Sequence, residues 1–228
     1  MIPVSAPRRV RDRLLAAPAG PVRVVHRGTH AVYLDVGGWC VGVVDQHAAQ
    51  VPCALGTRTG DLAALGSGPA YVRGGVLHLS GVPLVIGRLR SVEVPALRLM
   101  DAAHQPMPPL NTETVASLVG AGDGLTPRGD DVLCGWLALH RAAGVPTPVV
   151  DEAVRMRMQH TTLLSATLLD CALHGEVLPE FAAYVAALGT PAEDTAARAL
   201  MAIGHTSGSG LWRGARHALS ILALEEAA

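Results

Sequence analysis

Apolar positions along the chain change their period near residue 20 and again near residue 100. Before the first change, Pro7 to Ala16 spaces its apolar residues along one face of a short amphipathic helix. Pro18 and Gly20 end it, and its arginines are expected to face solvent. From Pro21 the period becomes two. The runs V-R-V-V-H-R, A-V-Y-L-D-V and W-C-V-G-V-V are separated by Gly28-Thr29 and Gly37-Gly38, which predicts three antiparallel strands joined by tight turns. Val51 to Thr57, Ala70 to Arg73, Val76 to Leu79, Pro83 to Ile86 and Val92 to Leu99 read as further short strands, with Gly74-Gly75 and Ser80-Gly81 as turns. A small antiparallel β-sheet or partial barrel is the expected product.

Met100 to Pro109 is a proline-rich seam, and beyond it the apolar spacing is helical. Helices are predicted at Asn111 to Val119, capped by Asn111 or Thr112, and at about Asp130 to Ala143, stopped by Gly144 and Pro146. A long helix from Val149 to His174 follows, then Leu178 to Leu188, Ala192 to Ile203 and Leu211 to Glu226. The fold class is therefore α+β: a β-rich domain over 1–105 with a short leading helix, then an all-helical bundle over 106–228 that carries the polar motifs.

Composition narrows the chemistry. With a formal net charge of −1 and no basic run among its 228 residues, the chain offers no groove for nucleic acid. All 18 basic residues are arginine. Without lysine there is no Walker-type phosphate lysine and no Schiff base, hence no pyridoxal phosphate chemistry. Cys40, Cys53, Cys134 and Cys171 are too scattered for a zinc site and read as buried thiols in a reducing compartment; no haem site is evident. No apolar run suits a signal peptide or a membrane span, so a soluble cytoplasmic protein is expected.

The densest chemistry lies in Gly120 to Gly135, G-A-G-D-G-L-T-P-R-G-D-D-V-L-C-G. Glycines give backbone freedom, Pro127 stiffens the turn, and Asp130 and Asp131 stand where a helix begins. The plain alternative is a helix cap, for which one aspartate suffices. As a site, Gly124, Thr126, Arg128 and Gly129 would bind a phosphate or similar anion, while Asp130 and Asp131 would hold Mg²⁺ or act as base. In Thr161 to Leu169, Thr161 and Ser165 fall one helical turn apart and could face an anion; back-bonding to the preceding turn is the alternative. Gly204 to Gly214, G-H-T-S-G-S-G-L-W-R-G, offers Thr206, Ser207 and Gly208 as anion contacts and His205 as a general acid–base group. Its glycine spacing repeats that of Gly129 and Gly135, either a weak internal repeat or coincidence. All three stretches are expected to converge on one cleft.

These stretches resemble a bacterial family that includes the AllH subunit of oxamate carbamoyltransferase. G-L-T-P-R-G-D-D is similar to the family's G-L-T-P-S-G-D-D, and the other two stretches fit the same pattern. The N-terminal half matches only in length and β-rich character. Three positions depart from the pattern: Asp123, where proline or a small residue is usual, Arg128, where a small hydroxyl residue is usual, and Gly210, where an aspartate is frequent. The resemblance implies a carbamoyltransferase acting on carbamoyl phosphate or a similar small anion, in purine or allantoin catabolism, in a hetero-complex with larger subunits; a homo-oligomer is the other assembly. Two further readings stay open: a non-catalytic anion-binding or regulatory subunit, and a stand-alone enzyme on another small amide, acid or phosphorylated substrate. No serine or cysteine sits in a nucleophile elbow, so covalent catalysis is not indicated.

Overall fold

The alternating stretches of the N-terminal half become the staves of a closed barrel in the computed structural model, which describes residues 1–60, 62–97 and 110–225. The chain divides into two units, Met1–Val92 and Glu93–Ala228. The first contains β1 (Ile2–Ala6), α1 (Arg8–Ala16), β2 (Gly20–Arg27), β3 (Ala31–Asp35), β4 (Cys40–Val44), β5 (Ala54–Gly56), β6 (Ala70–Arg73), β7 (Val76–Leu79) and β8 (Val82–Leu89). Around the barrel the order is β1-β5-β4-β3-β2-β6-β7-β8, and β8 closes onto β1.

This sharpens the expected small antiparallel sheet or partial barrel. The barrel is closed, and two of its pairings, β1 with β8 and β4 with β5, are parallel. Closure depends on β1, which the apolar pattern does not predict because Pro3 marks against a strand. Against β5, β1 pairs only at Ser5 with Gly56, so the missing N–H of Pro3 interrupts no ladder on that side. The strand expected over Val92 to Leu99 is not formed in its described part: Glu93 alone makes a bridge, with Glu176. Its last two residues and the seam at Met100 to Pro109 lie outside the described residues.

Alternation fills the barrel as period two requires, with Val32, Leu34, Val72, Leu77, Leu79 and Leu84 buried. Helix α1 buries Val10 and Leu14. Its arginines do not all face solvent: Arg9 and Arg13 lie over the Trp39 ring at 5.7 and 5.4 Å from its centroid.

The second unit contains α2 (Thr112–Leu118), α3 (Arg128–Ala142), α4 (Pro148–Arg157), α5 (Leu163–Leu173), α6 (Pro179–Ala187), α7 (Glu193–Met201) and α8 (Ser207–Glu225). It is not helical throughout: the Val94 N–H donates to the Gly175 carbonyl and the Leu97 N–H to that of Ala142, so an extended segment packs on the helices. Helix α3 is buried on nearly every side, the mark of a central helix. The long helix expected from Val149 to His174 is broken. Helix α4 passes into a 3-10 turn over Met158–His160, Thr161 is extended, and Thr162 caps a new helix, α5. No helix among the described residues is long and apolar enough to cross a membrane.

Candidate functional site

Three glycines shape the turn before α3. Gly120, Gly122 and Gly124 have φ of 74°, 117° and 90°, values that favour glycine. At Gly120 a side chain would also strike the His160 carbonyl. Helix α3 starts two residues earlier than the pattern predicts, with Pro127 as its N-cap, so neither Asp130 nor Asp131 is the capping residue.

Asp130 is fully buried and acts as a hub. Its carboxylate accepts from the Gly120 N–H (2.8 Å), the Ser165 hydroxyl (2.7 Å) and the Thr161 hydroxyl (2.5 Å). One oxygen serves Gly120 and the other both hydroxyls. Three donors offset the cost of burying the charge and tie the glycine turn to the start of α5. Thr162 reinforces the tie: its hydroxyl accepts from the Ser165 N–H and donates to the Leu125 carbonyl.

Asp131 differs. Only 4% exposed, it has a buried Oδ2 without a hydrogen-bond partner. Burial pushes its carboxyl up to about 7; the neighbouring Ser207 hydroxyl favours the charged form, and Asp130 works against it. Ser207, at the first position of α8, shares a hydrogen bond of 2.9 Å with Thr126. Gly210 leaves room for the carboxyl, since a Cβ there would lie 2.7 Å from Asp131 Cβ.

The two glycine-bearing helix starts mirror one another. A side chain on Gly129, in the first turn of α3, would strike the carbonyl of Leu118 in α2; one on Gly208, in the first turn of α8, would strike that of Leu200 in α7. Two turns further in, Gly135 rests against the Leu211 carbonyl and Gly214 against that of Val132. This reciprocal contact between α3 and α8 is what the repeated spacing encodes, and it brings the starts of both helices to one place.

The structure thus joins Thr126, Asp130, Asp131, Thr161, Ser165 and Ser207 through contacts among the three stretches. Gly124 and Arg128 border the same turn and are exposed. His205 is exposed and hydrogen-bonds to none of them, while Thr206 is engaged through its carbonyl with Ser209 and Gly210. Much of the donor capacity expected at the helix starts is spent internally: the N–H groups of Gly129, Asp130, Asp131, Gly208 and Gly210 all reach carbonyls of this chain. Among the described residues no group of three or more His, Cys, Asp or Glu is placed to hold a metal ion. Sequence reasoning gave Thr162 no part; its signal was the position of a threonine three residues before Ser165, the spacing of an N-cap.

No curated protein and no solved structure matches the chain. A family model does match, over residues 118–219, a span that takes in Asp130, Asp131, Thr161, Ser165 and Ser207. That family is described as oxamate carbamoyltransferase subunit AllH, and this chain is similar to it over that span.

Proposed function

We propose that this chain is a subunit of an oxamate-type carbamoyltransferase and that the cluster of Thr126, Asp131 and Ser207 contributes to handling its small anionic substrate. The family match supports the first part. The second rests on one observation: Asp131 is a buried carboxyl with an unpartnered oxygen, held beside two hydroxyls where three polar stretches meet. In carbamoyl transfer the acceptor nitrogen bonds to the carbonyl carbon, the bond from that carbon to the phosphate oxygen breaks, and the nitrogen gives up a proton. A carboxyl whose pKa lies near 7 suits a base taking that proton near neutral pH. Thr126 and Ser207 would orient substrate oxygens, and the exposed Arg128 would meet the phosphate. Were Mg²⁺ bound instead, Asp131 would hold it through Oδ2 in place of serving as the base, because the oxygens of Asp130 are engaged.

One observation favours a second reading, an anion-binding subunit without catalysis. Asp130 is satisfied within the chain, as are most N–H groups at the two helix starts, which is the economy of a scaffold. Coexpression with the larger carbamoyltransferase subunits and measurement of carbamoyl-phosphate-dependent phosphate release decides between them. Asp131→Asn in an intact complex is expected to abolish turnover. Full turnover by that complex would assign the chain to the non-catalytic role, and failure to assemble at all would refute the subunit reading.

A further inference from the structure

The pairing of β8 with β1 is irregular at one place. Val4 stands opposite Ile86 and Ser5 opposite Arg88, so Gly87 is the extra residue of a bulge. Bulges re-aim side chains and are common beside binding sites. At this bulge the barrel unit has a cavity of about 520 Å³, within the size range of small-molecule sites. Gly87 borders it with space for a side chain: a Cβ there would meet no atom within 4 Å, and the backbone lies outside the left-handed region.

The charge of the cavity is one-sided. Arg58 and Arg88 line it, and among the described residues no Asp or Glu does. Neither guanidinium has an ion pair or hydrogen bond among the described residues, whereas Arg23 pairs with Asp35 and Arg90 is held by the carbonyls of Val51 and Ala54. Two guanidiniums without a partner among the described residues are donors available to an anion. Gln50 adds an acceptor. Its amide hydrogens go to the carbonyls of Asp45 and Ala48, and its Oε1 lies against Gly56 at the cavity wall.

We propose that this cavity binds a small metabolite that carries a phosphate or a carboxylate together with an N–H or O–H donor. Arg58 and Arg88 hold the anion, and Gln50 Oε1 accepts from the donor. The site belongs to the barrel unit, outside the span of the family match, and is independent of the carbamoyltransferase reading.

Titration calorimetry on the full chain tests it, with phosphoethanolamine as the phosphate probe and malate as the carboxylate probe. One class is expected to bind saturably, and the arm that binds identifies the anion. Gly87→Leu, which fills the cavity, and the double variant R58E/R88E are each expected to weaken binding by about tenfold or more while the melting temperature holds. Asp131→Asn, in the helical unit, is expected to leave it unchanged. Absence of saturable binding by both probes overturns the proposal. So does binding that survives both barrel variants, or binding lost in Asp131→Asn instead, which would move the ligand to the helical unit. Should Gly87→Leu fail to fold, the arginine pair, at exposed positions, carries the test alone.

Discussion

Gly135 in α3 and Leu211 in α8 meet backbone to backbone, and Gly214 and Val132 repeat the contact in reverse. Alanine at Gly135 or Gly214 would drive a methyl group into a carbonyl oxygen of the other helix. Its better helix propensity returns only about 1 kcal/mol. Each substitution is therefore expected to cost about 2 kcal/mol or more in urea denaturation, the scale of overpacking a core. The double variant should cost less than the sum of the two, because the first displacement of the helices makes room for the second methyl.

Asp131 gives the fold a pH dependence of defined sign. Its carboxyl titrates near 7 in the folded chain and in the ordinary carboxylate range when unfolded. Between those values the folded state holds a proton that the unfolded state has released, so stability falls as pH rises through that window and levels above about 7. Asp131→Asn cannot ionise. Its melting temperature is expected to lose this decline and to exceed that of the wild type at pH 8, as differential scanning fluorimetry across pH would show.

Asp130 should behave in the opposite way. Asparagine there keeps one acceptor oxygen and turns an amide hydrogen-bond donor toward donors, leaving buried groups unpaired. A loss of about 3 kcal/mol is expected in Asp130→Asn. Equal stability in the two asparagine variants would contradict the division of labour drawn between these neighbours.

Thr162 both caps α5 and holds the Leu125 carbonyl. Replacing it with alanine is expected to cost about 1 kcal/mol through the cap. The released carbonyl should also loosen the glycine turn. Hydrogen exchange at Gly120 through Leu125 is expected to accelerate more than exchange within α3.

Local pattern carried much of the fold. Val32, Leu34, Leu77 and Leu79 alternate with less buried neighbours, and their strands lie where period two puts them. What local pattern cannot carry is pairing between distant segments. Closure of the barrel needs Ile2–Ala6 to meet Val82–Leu89, and a proline at position 3 disguised one partner. The break before α5 was hidden for a similar reason, since M-Q-H-T-T contains no glycine or proline. The helix stops there because Thr161 is drawn to Asp130 and Thr162 to Leu125, demands that arise only in the folded unit. Likewise, Asp130, Asp131, Thr161 and Ser165 stood out by residue type. Which of the two aspartates would be saturated and which left with a bare oxygen depended on contacts from α5 and α8.

Closing the barrel has a consequence for assembly. With β8 joined to β1, each strand among the described residues has a neighbour on both sides, so none of them stands as a free edge strand. Strand donation, by which many subunits latch onto one another, finds no free edge strand among the described residues of this unit. Any partner that grips it must do so through side chains and loops, so the choice of partner is written in surface residues that can change without disturbing the sheet.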